Sequence, residues 1–244
     1  AWLYVDEPHF HCHSVGYDTE VTIWTDPKER PPDGTWVDYV RGVIYEIVRG
    51  QIIDTSQRLF GGALTVSGSV PQGAGLSSSA ALEVAVAGAL RDAFALDLGD
   101  VALGRLCQRA ENEYVGVQCG IMDQFASALS KRDHALLIDC RSLAYEHVPL
   151  RLAEHGLAVV IANSAVRREL ASSAYNDRRR ECGEAVAELR ARLGRPELGS
   201  LRDVTLAELE RIEIDTVPLR RARHVVGEIA RVAAAVEAPA EGYL

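Results

Sequence analysis

No run of about 18 consecutive apolar residues occurs in the chain, so nothing in it reads as a membrane-spanning helix. Its first residues carry neither a basic stretch nor an apolar core, and no secretory leader is expected. Positive charge is scarce. Lys and Arg number 26 against 35 Asp and Glu, leaving a formal charge of −9, whereas a nucleic-acid partner calls for a basic face. Cysteine is also sparse: Cys12, Cys107, Cys119, Cys140 and Cys182 are odd in number, scattered, and form no CxxC pair. A disulfide framework is therefore not expected, and a reducing, cytoplasmic setting is. Internal repeats and low-complexity segments are absent as well. What remains is ordinary globular composition, 48% hydrophobic and 25% charged, in 244 residues that can bury a real core. The chain begins without Met and stops just past a long helical pattern, so a sequence cut at both ends is expected.

The most informative stretch is Val70 to Ala81, Val-Pro-Gln-Gly-Ala-Gly-Leu-Ser-Ser-Ser-Ala-Ala. Before it, Gly62 to Ser69 alternates apolar and small polar residues, as a half-buried strand does. After it, Leu82, Ala85, Val86, Ala89, Leu90 and Ala93 recur at helical spacing, so a helix starts near the serines. A strand, a turn with Gly73 and Gly75, and a helix with Ser77, Ser78 and Ser79 at its mouth together make a phosphate cradle. The glycines permit a tight turn and close approach of an anion. The free N–H groups of the helix start, with the positive end of its dipole, then hold negative charge. No Lys follows Gly75, so this is not a Walker loop. An ordinary serine-capped helix is the alternative reading.

Upstream, strands are expected at Trp2–Val5, Phe10–Val15 and Glu20–Thr25. His9, His11 and His13 alternate, with Cys12 on the opposite face, a spacing that can hold a metal. No carboxylate or second cluster completes it, and whether the histidines bind anything stays open. A turn-rich loop from Lys28 to Gly34 precedes a helix whose apolar stripe is Trp36, Val40, Val43, Ile44 and Ile47. Another helix runs from Asp100, read as its cap, to Gly116, with Leu103, Leu106, Cys107, Ala110 and Tyr114 buried. Glu111 lies at the edge of that stripe, where a carboxylate can point into a cleft. Gly120 then breaks one element, and Asp123 falls in the first turn of the next, where the positive helix end favours negative charge. His134–Arg141 and Leu157–Asn163 read as strands, the second a continuous apolar run suited to full burial. Helices follow at Ser172–Leu193, at Thr205–Ile212 with Thr205 as cap, and at Leu219–Val236. The arginine runs at 178–180 and 220–221 read as solvated helix faces.

The spelling PxGxGLSSSA over Pro71 to Ala80 resembles the nucleotide loop of the GHMP kinases, a superfamily of small-molecule kinases. The segments Trp36 to Val43, Cys119 to Phe125, His134 to Leu143, Arg168 to Cys182 and Arg221 to Glu228 are similar to galactokinases within it. The likeness runs in order from about Trp36 to Val236. It implies an α+β, two-lobed GHMP-kinase-like fold with a ribosomal protein S5 domain 2-like N-terminal lobe, here incomplete. The lobes are expected at 1–150 and 151–244, with the boundary near Pro149 to Gly156.

The resemblance also implies ATP-dependent phosphorylation of the C1 hydroxyl of galactose, with ATP and Mg²⁺ as cofactors and no nucleic-acid or membrane partner. Gly73, Ala74, Gly75, Leu76, Ser77, Ser78 and Ser79 carry over as the phosphate loop, and Trp36 as the platform for adenine. Ser79 and Glu111 carry over as magnesium ligands, both hard oxygen donors of the kind Mg²⁺ prefers. Asp123 carries over as the catalytic residue at the sugar hydroxyl, and Gly120 and Tyr175 as further sugar contacts. A carboxylate is a weak base towards an alcohol, so its value lies in orienting the hydroxyl and taking the proton late. Two family segments have no counterpart here: the N-terminal GRxNxxGEHxDY, which supplies most of the sugar clamp, and a C-terminal glycine-rich block. The clamp is where sugar choice is read, so a kinase for N-acetylgalactosamine or arabinose, or a non-catalytic galactose and ATP sensor, stays open alongside the galactokinase reading.

Overall fold

The structure, a computed structural model, describes residues 8–25, 31–54, 60–163, 172–213 and 215–238, those at 172–175 by backbone alone. The expected strand at Trp2–Val5 lies outside the described residues, as do the positions from Ser164 to Ala171 and the last six. The chain divides into two compact units, Ala1–Pro149 with Val160–Glu169, and Leu150–Val159 with Leu170–Leu244.

Side-chain alternation organises the first unit. In β1 (His9–Ser14), Phe10, Cys12 and Ser14 face the core while His11 stays exposed. β2 (Thr19–Trp24) pairs with β1 antiparallel and β3 (Gly62–Val66) pairs with it parallel, giving the order β2-β1-β3. One side of this sheet is closed by α1 (Val37–Arg49), α2 (Ser78–Phe94) and α3 (Asp100–Arg109), whose apolar residues join it in a single core. Phe60 sits between Phe10 and Phe94, with ring centroids 5.1 and 4.8 Å away in edge-on contact, the geometry aromatic quadrupoles favour. The stripe read for α1 holds: Val40, Val43, Ile44 and Ile47 are buried. In α2 the buried set is Ala80, Glu83, Val86, Ala87, Leu90 and Phe94, so the helix is turned from the expected stripe and buries an acid.

α3 departs from expectation at both ends. Gly99 occupies the cap position in extended backbone, and Asp100 is the first helical residue, paired at 2.7 Å with Arg91. At its other end the chain widens into a π-helical turn, Ala110–Val115, which Gly116 closes at φ 88°. Next come α4 (Met122–Leu129) and a hairpin of β4 (His134–Ile138) and β5 (Tyr145–Pro149), the second strand unforeseen. β4 ends before Arg141 because Asp139 Oδ1 accepts the amides of Arg141 and Ser142, bending the chain back. Ile121, Phe125 and Leu129 of the α4 segment pack on Leu136 and Ile138.

The expected strand at Leu157–Asn163 does not form. Val159, Val160 and Ile161 are 74%, 87% and 64% exposed, since no strand among the described residues lies beside them to share a ladder. In the second unit, α5 (Ser172–Leu193), α6 (Leu206–Leu209) and α7 (Val217–Glu237) bury Ala185, Leu189, Leu209, Leu219, Ala222 and Val226 together. Thr205 caps α6 as read, in a reciprocal box with Glu208. No helix of the described residues is long and apolar enough to cross a membrane.

Two helical glycines differ in what a methyl group would meet. At Gly104 an added Cβ would lie 2.8 Å from the ring of Phe125, which is fully buried, whereas at Gly88 nothing lies within 4 Å. Ala in place of a mid-helix Gly gains roughly 0.5–1 kcal/mol, and overpacking a core costs about 1–3. Gly88→Ala is therefore expected to raise the thermal midpoint and Gly104→Ala to lower it, a comparison that calorimetry reads directly.

Candidate active site

The loop from Val70 to Leu76 is mostly exposed, with Gly73 at φ 67° and Gly75 at φ 75°. Both glycines take backbone that other residues rarely adopt, and a Cβ on either would point into open space. Ala74 and Leu76 are half-buried, as are Ser77, Ser78 and Ser79. Ser77 stands at the N-cap of α2 in left-handed backbone, φ 55° and ψ 40°, which costs a non-glycine residue about 1 kcal/mol or more. Its carbonyl accepts the first helical bond from Ala81, but its side chain caps nothing. The serines therefore do not act as an ordinary cap. The start of α2 keeps amides and dipole facing the loop, the arrangement that suits an anion.

Ser79 is one helical turn before Glu83, so both lie on one face of α2. Ser79 is near enough to Glu111 for its hydroxyl to help hold that carboxyl down. Glu111 is held by the π-helical turn, against which α1 packs closely at Gly42: a Cβ there would sit 3.1 Å from Ala110. Gln124, fully buried in the first turn of α4, donates through Nε2 to Glu111 Oε2 at 2.8 Å and to Glu83 Oε2 at 3.2 Å. Cys119 Sγ lies 3.5 Å from Glu111 Oε2. Burial pushes the Glu111 carboxyl up and the negative charge of Asp123 adds to it, while hydrogen bonds from Cys119, Ser79 and Gln124 pull the other way. Burial, reinforced by the charge of Glu111, drives the Glu83 carboxyl up to about 9. Tyr39 of α1 also senses the cluster: burial and then the charges of Glu111 and Glu83 raise its phenol to about 12.

Ser79, Glu111 and Asp123 thus converge within the first unit. Asp123 is half-buried in the first turn of α4, and Gly120 is exposed just before it. Trp36 stands at the N-cap of α1, half-buried, with its ring parallel to that of Tyr17 at 6.1 Å. The side chain of Tyr175 lies outside the described residues. Sequence reasoning passed over Glu83, Gln124, Tyr39 and Tyr17. The signal for Glu83 was available, a lone acid inside the apolar run Ala80 to Leu90.

The histidines of β1 form a separate group. His9 and His11 meet Nε2 to Nε2 at 2.8 Å, and His13 reaches Asp18 at 4.0 Å. No set of three or more His, Cys, Asp or Glu among the described residues has metal-holding geometry.

Residues 38–131 match the family of GHMP kinases N terminal domains. The chain is 40% identical over 240 residues to a galactokinase of Halalkalibacterium halodurans, covering 98% of this chain and 59% of that protein. Among solved structures, Lactococcus lactis galactokinase complexed with galactose superposes with a TM-score of 0.84 at 30% identity, over 99% of this chain and 61% of that one. Methanococcus jannaschii mevalonate kinase, at 14% identity and a TM-score of 0.52 over 90% of this chain and 71% of that one, shares the fold alone. The chain spans about three fifths of the length of the galactokinases it matches. One unbroken match takes in the Val70 to Leu76 loop, both buried acids and most of the Asp123 helix region, and the galactokinase likeness continues past it to nearly the whole chain. Residues 38–131 are thus similar to GHMP kinases N terminal domains, and nearly the whole chain is similar to part of a galactokinase.

Proposed function

We propose that this chain carries the nucleotide and phosphoryl-transfer part of an ATP-dependent galactokinase of the cytoplasm. The convergence of Ser79, Glu111 and Asp123 beside an uncapped, serine-tipped helix start carries the reading. Galactose as acceptor rests on likeness to the two galactokinases, one of them complexed with galactose. Amides of Gly73 to Ser79 would wrap the triphosphate, and the indole of Trp36 offers a flat π face to adenine.

Ser79 and Glu111 fit a magnesium ion: a hydroxyl and a carboxylate close enough for one to act on the other are two hard oxygen donors. Mg²⁺ keeps waters and takes phosphate oxygens, so two protein ligands are enough for it. When bound, the ion would spread the charge that develops on the phosphoryl oxygens. Asp123 would orient the C1 hydroxyl in line with the γ-phosphorus. The C1 oxygen then bonds to phosphorus as the bond from phosphorus to the bridging oxygen breaks. ADP leaves, and the hydroxyl proton passes to Asp123 late in the transfer.

These roles separate in experiment. Asp123→Ala is expected to lower turnover by at least about a thousandfold, in line with loss of positioning plus acid–base help, while ATP affinity stays within about threefold. The assay is sugar-dependent ADP release by this chain or, where the gene encodes more, by the whole product; affinity loss matching the rate loss would contradict the role. Ser79→Ala should instead raise the Mg²⁺ needed for half-maximal binding of a fluorescent ATP, with turnover at saturating Mg²⁺ less affected. Unchanged Mg²⁺ dependence would remove Ser79 from the ion's ligands.

A further inference from the structure

We propose that Glu83 is a positioning residue for this site: it holds the Gln124 amide so that Gln124 presents its N–H to Glu111. The inference rests on the reading of Glu111 as a ligand of the nucleotide's metal ion. Glu83 is fully buried on the stripe of α2 that otherwise carries Ala80, Val86, Ala87, Leu90 and Phe94. An apolar side chain there would satisfy packing without the desolvation that a buried carboxyl suffers. Stability alone therefore does not explain an acid at this position.

Its hydrogen bond with Gln124 explains more. Gln124 Nε2 lies 3.2 Å from Glu83 Oε2 and 2.8 Å from Glu111 Oε2, so the two N–H bonds of a single amide serve the two acids. A primary amide can turn about its last torsion and exchange N–H for C=O. Turned over, Gln124 would aim a carbonyl oxygen at the carboxylate of Glu111. An acceptor on the far side of the amide nitrogen opposes that turn, and Glu83 Oε2 is such an acceptor whether its carboxyl is neutral or charged. Glu83 Oε1 and Gln124 Oε1 are both buried without a hydrogen-bond partner. A network serving stability alone would pair them, since each unmade bond is costly. What the arrangement does secure is the direction of one N–H towards Glu111. That N–H in turn leaves the other carboxylate lone pairs to face Ser79 and an ion beside it.

The test uses the full chain and fluorescence titration with a ribose-labelled ATP over a range of Mg²⁺, alongside thermal unfolding. Glu83→Leu keeps the volume apolar and removes the acceptor; about tenfold more Mg²⁺ should then be needed for half-maximal binding, with the thermal midpoint held or raised. Glu83→Gln restores a carbonyl acceptor and should return the Mg²⁺ requirement to within about twofold of wild type. Gln124→Met should raise the requirement as Glu83→Leu does, and the two changes together should cost no more than either alone. Should Glu83→Leu fail to fold, the comparison of Gln124→Met with and without Glu83→Gln decides the same point, since Glu83→Gln must then have no effect of its own. A wild-type Mg²⁺ requirement in Glu83→Leu or in Gln124→Met, or a Glu83→Gln as impaired as the leucine variant, overturns the proposal. If the unaltered chain itself binds the nucleotide without any Mg²⁺ dependence, the metal-ligand reading falls with it, and that outcome is seen before any variant is made.

Discussion

Two carboxyl groups buried against one amide cannot both be charged without large cost, and this constraint ties the first unit together. Glu83 takes the proton, pushed to about 9 by burial and by its neighbour, and Glu111 is left as the group that can carry charge. The acids come from different elements: Glu83 from the middle of α2, Glu111 from the π-helical turn after α3, and Gln124 from the first turn of α4. Each element must therefore sit within hydrogen-bond distance of the same point. The surrounding core is built for close approach, with Gly42 letting α1 touch the Ala110 turn and Gly104 letting Phe125 lie against α3.

The π-helical turn carries Glu111 at its start. Glu111 stands four residues after Cys107 and eight after Leu103, on the buried face of α3, and the widened turn begins beside it. Glu111 ends up 6% exposed, aimed inward, with the turn closed by the amide of Gly116 on the Glu111 carbonyl. The nearby basic residues are committed elsewhere: Arg109 pairs with Glu46 at 2.7 Å, and Arg41 with Asp33 and Asp38 at 2.8 and 3.0 Å.

How much of this could be read from residues alone differs by element. The glycine turn before α2 was legible because Gly73 and Gly75 permit left-handed backbone, and the helices from Val37 and Ser78 because apolar periodicity is a local property. Asp123 was legible as a helix-start acid, and its nearness to Glu111 depended on the fold. Glu83 escapes a stripe drawn from apolar residues alone, which puts Leu82 and Ala89 where Glu83 and Ala87 are buried. The π-helical turn leaves no mark in spacing that an α-helix would not also leave. Leu157–Asn163 was read as a buried strand from its apolar run, yet a strand needs a neighbour, and among the described residues none is there. Sequence pattern states what a segment could bury, and only the fold states against what.

Charge balance gives the proposed chemistry its demand for a cation. From Val70 to Ala81 there is no Lys or Arg, so a triphosphate in this loop would meet only amides and the end of one helix dipole. Such a dipole offsets at most about 1–2 kcal/mol near a single charge. Glu111 and Asp123 stand close enough together for one to raise the other. A unit negative charge brought to about 4 Å from either would meet a repulsion on the order of 4 kcal/mol at the effective dielectric of a protein surface. In the proposed chemistry a positive ion between these acids and the phosphates would offset that repulsion. The same acids that would repel a bare phosphate are hard donors for such an ion, and the buried amide of Gln124 keeps one of them turned to receive it.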